Sequence, residues 1–235
     1  MDTFIDIALS LTTLTILELV LGIDNLVFLA IITQKLPKHL QRKARQLGLT
    51  LAWVTRLILL ASALALTQLT KPLFAFMGWA FSGRDLFLLG GGIFLLAKAT
   101  QEIHFELDPQ ASSEINIQPK KNHFFLIVIQ IAILDIIFSL DSVLTAIGLT
   151  QIFWVMAVAI TIAILAMIFV SEPLSRFIER HPTIKMLALS FLILIGTILI
   201  ADGCGYHVPR GYIYFAMGFS LFIEFLNSLK RRRQR

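Results

Sequence analysis

Glu18-Leu-Val-Leu-Gly22-Ile-Asp24-Asn25 lies inside an apolar run that extends from about Phe4 to Ile32. The pattern returns as Asp135-Ile-Ile-Phe-Ser139-Leu-Asp141-Ser142, inside a second apolar run. In each copy an acidic residue is followed six positions on by Asp, and that Asp by a small residue carrying an oxygen. Glu18 and Asp135, and Asp24 and Asp141, both stand 117 residues apart. An ionisable side chain costs about 2.5–3.5 kcal/mol at the centre of a membrane helix. Four of them at a repeated spacing read as a site, the alternative being that they pair with Arg or Lys and hold helices together.

The surrounding chain supports a membrane setting. Of its 235 residues 57% are hydrophobic and 15% charged, whereas soluble domains carry a charged fraction near a quarter. The mean hydropathy is +0.82. Several runs reach the roughly 20 residues needed to cross a bilayer, and 153–170 carries no charge at all. The fold class expected is therefore all-α, a polytopic bundle of about seven transmembrane helices in contact with lipid. The net charge of +5 comes from Lys and Arg in short loops between spans, so no nucleic-acid partner is expected. Cys204 is the single cysteine, which excludes an intramolecular disulfide and Cys-x-x-Cys redox chemistry. Asp2 and Asp6 stand where a signal peptide carries basic residues, so the first run is expected to be retained as a helix.

The predicted spans are 4–32, 47–69, 86–103, 124–149, 152–170, 186–201 and 212–229. Between the third and fourth lies a polar segment, 104–122, with Asp108-Pro109, Ser112-Ser113 and Pro119-Lys120-Lys121, which reads as a linker. The chain then divides into a first membrane repeat (1–103), the cytoplasmic linker (104–122), a second repeat (123–203), and a seventh helix with a basic tail (204–235). Lys35, Lys38, Arg42, Lys43 and Arg45 crowd one side of the membrane, with Lys120, Lys121, Arg176, Arg180, Lys185 and the tail. The other side has Lys71, Arg84 and Arg210. The positive-inside rule makes the crowded side cytoplasmic, with the N-terminus outside and the C-terminus inside. The two acidic stretches then run antiparallel, the signature of an inverted three-plus-three repeat whose substrate site lies near the midplane.

On a straight helix residues six apart point about 120° away from each other. Glu18 and Asp24, or Asp135 and Asp141, reach one cavity only if the helix unwinds between them. Breaks are therefore predicted at Gly22, which tolerates irregular backbone, and at Ser139, whose hydroxyl satisfies freed backbone groups. Glu18, Asp24, Asn25, Asp135, Asp141 and Ser142 form a hard, all-oxygen ligand set suited to magnesium, calcium or manganese. The five His residues fall near span ends or in loops. Arg56 sits near the middle of the second span and Lys98 nearer the end of the third. Both are candidates to compensate the acidic charge, Lys98 with snorkelling to the interface as an equal alternative. Gly90-Gly91-Gly92 lies within an apolar helix and reads as close helix packing.

Leu21-Gly-Ile-Asp-Asn25 with its upstream Glu, and Phe138-Ser-Leu-Asp-Ser142 with its upstream Asp, resemble the TerC family of integral membrane proteins. His181-Pro-Thr-Ile-Lys-Met-Leu-Ala-Leu-Ser-Phe-Leu and Val208-Pro-Arg-Gly-Tyr-Ile-Tyr-Phe-Ala-Met look like the same family. That family is named for tellurium resistance and includes bacterial manganese exporters. The resemblance implies a seven-helix inner-membrane protein in which Glu18, Asp24, Asp135 and Asp141 match the family's intramembrane acids. It is expected to lack the cytoplasmic domains that some relatives carry. The function expected is divalent-cation transport, manganese efflux foremost, with protons as coupling ion and no permanently bound cofactor. Two other classes stand beside it. A membrane scaffold for stress-response partners predicts that neutralising Asp24 and Asp141 leaves function intact. An intramembrane hydrolase needs two carboxylates facing each other with water access, and no metal.

Overall fold

The computed structural model describes residues 2–62, 72–76, 79–108, 121–150, 152–206 and 208–233. Among them are seven helices and one hairpin: α1 (Asp2–Thr33), α2 (Lys38–Ala61), β1 (Pro72–Phe76), β2 (Trp79–Ser82), α3 (Gly83–Leu107), α4 (Lys121–Leu149), α5 (Phe153–Arg180), α6 (Pro182–Gly203) and α7 (Arg210–Arg233). Five of these, α1, α2, α3, α5 and α6, are long and apolar enough to cross a membrane. In α4 the apolar stretch is Phe124–Ser139. The all-α reading holds, with one addition. β1 and β2 pair antiparallel, with a register irregularity between Pro72 and Phe74. Alternating Phe74 and Phe76, then Trp79 and Phe81, around Met77-Gly78 is a hairpin pattern at the sequence level.

Helix ends also differ from the sequence reading. α2 begins at Lys38 rather than near Leu47, because its basic first turns are amphipathic. Ala44, Arg45, Gly48, Leu49, Ala52, Arg56 and Leu60 form its buried stripe, at spacings of three and four, while Lys43 and Gln46 stay exposed. α5 continues through Pro173 to Arg180. The polar linker falls mostly on 109–120, outside the described residues. So does the end of the predicted second span, 63–69.

The chain forms two compact units, 1–83 with 117–176 and 84–116 with 177–235. The first takes α1, α2 and the hairpin from one predicted repeat, and α4 with most of α5 from the other. In it α2 packs most extensively against α4, and α1 packs against both. Gly48 makes the α2–α4 approach close: a Cβ there would stand 2.8 Å from Ile131 Cγ2. In the second unit α3 crosses α6 glycine on glycine. A Cβ on Gly92 would stand 2.6 Å from the Gly196 carbonyl oxygen, and one on Gly196 would stand 3.1 Å from that of Gly92. Gly91 is buried and Gly90 is open, so close packing within the triplet is the work of its latter part. Gly205, at φ 84°, turns the chain out of α6.

Candidate functional site

The stripe of α2 carries Arg56 into the first unit, where its side chain is 2% exposed. A guanidinium this deep needs carboxylates, and two meet it. Arg56 Nη1 donates to Glu18 Oε2 at 2.6 Å, and Nη2 donates to Asp135 Oδ1 at 2.7 Å. Nε adds a longer bond to Asp135 Oδ2 at 3.3 Å, which makes the Asp135 contact a two-point fork. Glu18 is 1% exposed and Asp135 6%. Two carboxyl groups, one from α1 and one from α4, thus share one guanidinium.

Neighbours fix the rest of Asp135. Asn25 Nδ2 donates to Oδ1 at 3.3 Å, and the Ser139 hydroxyl lies against Oδ2 at 3.0 Å and against the Asp135 carbonyl oxygen. Ser142 donates to the Ser139 carbonyl at 3.3 Å. Glu18 is less complete, with one Arg56 bond and the Ser142 hydroxyl beside its carboxylate. Its Oε1, and Asn25 Oδ1, are buried without a hydrogen-bond partner among the described residues. Buried oxygens left this way are costly, and both are acceptors, the polarity a cation requires.

Neither predicted break occurs. α1 runs unbroken through Gly22 and α4 through Ser139. The reason is a spacing that the six-residue reading passed over. Residues seven apart differ by about 700°, so they return to within roughly 20° of one face. Glu18, Gly22 and Asn25 therefore form one stripe on α1, and Asp135, Ser139 and Ser142 the equivalent stripe on α4. The polar residue following the second Asp, rather than that Asp, shares a face with the first acid. Asp24 sits on another face and is half-buried. The Asp141 side chain lies outside those described. Lys98 belongs to the second unit and donates to Gln101 on its own helix at 3.3 Å. Among the described residues no three His, Cys, Asp or Glu side chains cluster closely enough to hold a metal ion; Arg56 stands between the two buried carboxylates.

Helices that repeat an acid–small–polar stripe around one buried arginine, in a chain this apolar, belong to an integral membrane protein. Residues 4–235 match the Integral membrane protein TerC family. The chain belongs to the TerC family. It is 48% identical over 225 residues to the UPF0053 inner membrane protein YgdQ of Escherichia coli (strain K12), covering 96% of this chain and 94% of that one. It is 50% identical over 222 residues to the UPF0053 inner membrane protein YoaE of the same strain, covering 94% of this chain and 43% of the relative. The UPF0053 protein YegH of that strain is 51% identical over 226 residues, again with 43% of its length covered. The chain therefore spans less than half the length of YoaE and YegH. No solved structure matches it.

Three further features of this TerC chain gave no sequence signal of their own. Trp53 Nε1 donates to Thr161 Oγ1 at 3.0 Å and ties α2 to α5 one turn before Arg56. Arg45, on the same stripe as Arg56, donates to Glu172 at 2.7 Å and to Ser175 at 3.2 Å on α5. Met167, in the uncharged part of α5, fills the space over Gly22, where a Cβ would meet its Sδ at 2.6 Å. Each is an ordinary residue type in an apolar or basic run, and only the packing gives it a role.

Proposed function

We propose that this TerC protein moves divalent metal cations across the bacterial inner membrane, exporting manganese in exchange for protons. The observation that carries the reading is the buried Glu18–Arg56–Asp135 arrangement, with an oxygen on each of Glu18 and Asn25 left without a hydrogen-bond partner among the described residues. Intramembrane acids are retained at such cost where they serve an ion path. The relatives named as inner membrane proteins support the location, and the distribution of basic residues supports an outside N-terminus and a cytoplasmic C-terminus.

In the proposed cycle Arg56 is a tethered counter-ion. An arriving dication takes the oxygens of Glu18 and Asp135 from it, and Asn25 and Ser142, on the same two stripes, supply further oxygens. On release, Arg56 and protons restore charge balance. Metal and protons compete for the same oxygens, so cation binding weakens as pH falls. Coupling is needed energetically. A dication leaving against 100 mV faces about 4.6 kcal/mol, twice the roughly 2.3 kcal/mol per charge.

The test is manganese transport by the full chain in proteoliposomes, with a panel of competing cations and an imposed proton gradient. Glu18→Gln and Asp135→Asn are expected to abolish metal movement and its proton flux together. Uphill manganese movement with proton and sodium gradients both collapsed rules out the coupling. Full function in both variants instead favours the scaffold. A reporter fused to the C-terminus is expected in the cytoplasm and one after Gly148 outside.

A further inference from the structure

Gly22 occupies the middle of the α1 stripe, one turn from Glu18 and one from Asn25. Its counterpart 117 residues on is Ser139, whose own hydroxyl fills the equivalent place on α4 and bonds Asp135 at 3.0 Å. On α1 nothing of the helix's own fills that place. A side chain from α5 does: a Cβ at Gly22 would stand 2.6 Å from Met167 Sδ and 3.2 Å from Met167 Cε. Met167 is 3% exposed, so the thioether is held there rather than swept past. The sulfur seat lies on the same stripe as Glu18 and Asn25, whose Oε1 and Oδ1 are buried without hydrogen-bond partners among the described residues.

Resting on the transport reading above, we propose that the Met167 thioether sets the metal preference of the site. A thioether is a soft, polarisable donor, whereas carboxylate and amide oxygens are hard. Oxygen donors alone accept magnesium and calcium readily. One sulfur added to Glu18 and Asn25 favours a dication with affinity for sulfur over those two abundant hard ions. Gly22 is the enabling residue, because any larger side chain evicts the sulfur. The contrast between Gly22 and Ser139 then acquires a purpose: one stripe binds its own carboxylate, and the other admits a foreign donor.

The test is direct binding of cadmium, manganese and magnesium to the purified full chain in detergent by calorimetry, with cadmium as the soft probe. Met167→Leu keeps the volume and removes the sulfur. It is expected to weaken cadmium by about tenfold or more, manganese by less, and to leave magnesium unchanged. X-ray absorption of bound cadmium is expected to show a sulfur neighbour in the wild type and none in the variant. Met167→Gln, which offers an oxygen, is expected to shift preference toward magnesium and stands in if the leucine variant does not fold. A cadmium-to-magnesium ratio in these variants within about twofold of wild type overturns the thioether role and leaves transport standing. Failure of the wild type to bind any of the three ions overturns both.

Discussion

The stripes on α1 and α4 have the same spacing and opposite degrees of completion. On α4, Asp135 accepts from Arg56 twice, from Asn25 and from Ser139. On α1, Glu18 accepts one strong bond from Arg56 and has the Ser142 hydroxyl beside its carboxylate, and its Oε1 is buried without a hydrogen-bond partner among the described residues. A repeat that doubled the site symmetrically would satisfy both carboxylates alike. The α4 half instead anchors the guanidinium, and the α1 half keeps acceptor capacity in reserve. Part of the difference traces to Ser139 against Gly22, and the rest to the second Arg56 bond and to Asn25, which reach Asp135.

The largest effect that probes this asymmetry comes from removing the shared cation. Arg56→Met leaves two buried carboxyl groups uncompensated and is expected to cost about 3–5 kcal/mol, read as a lowered thermal midpoint in detergent. Adding Glu18→Gln and Asp135→Asn to that variant is expected to recover most of the loss, since only the unpaired charge is expensive. If the triple change is as unstable as Arg56→Met alone, the guanidinium is serving packing rather than charge. Next is Gly22→Ala, which puts a methyl group 2.6 Å from Met167 Sδ; overpacking of about 1–3 kcal/mol, eased by the flexible thioether and offset by the roughly 1 kcal/mol that alanine gains over glycine in a helix, leaves an expected net loss of about 0–2 kcal/mol. Combining it with Met167→Ala should relieve part of that cost, and strict additivity of the two changes denies the contact. Ser139→Ala at the equivalent position removes one hydrogen bond from Asp135 and is expected to cost about 1 kcal/mol. No loss at position 139 would erase the distinction between the stripes.

The smallest effect belongs to the other arginine of α2. Arg45 is buried, but its partner Glu172 is about a third exposed and also binds Arg176 at 2.9 Å. Arg45→Gln therefore leaves Glu172 paired, and a loss of about 1 kcal/mol or less is expected. A loss as large as that of Arg56→Met would show that charge burial alone, and not the repeat, sets the energetics of α2.

Much of the fold was legible because apolar runs near 20 residues leave few alternatives. Helix limits were less so: Lys38, Arg42 and Lys43 read as loop residues, yet they form the polar face of a helix whose buried face carries Arg45. The hairpin is encoded by aromatic alternation that a search for spans overlooks. Glu18, Asp135 and Arg56 were visible as charges in the wrong solvent. Their geometry was not, because the eye follows the two acids six apart while the helix brings together residues seven apart. Met167 was illegible in principle, since a methionine in an apolar span has no feature that distinguishes it from filler until Gly22 is seen beneath it.

The proposed transport requires Glu18 and Asp135 to form a cation site shared with Arg56. Manganese and proton fluxes recorded together in proteoliposomes test it directly, comparing wild type with Glu18→Gln and with Asp135→Asn. Wild-type vesicles are expected to exchange manganese for protons, and both variants to lose the two fluxes together while remaining folded. Wild-type rates of manganese movement in either folded variant would contradict it.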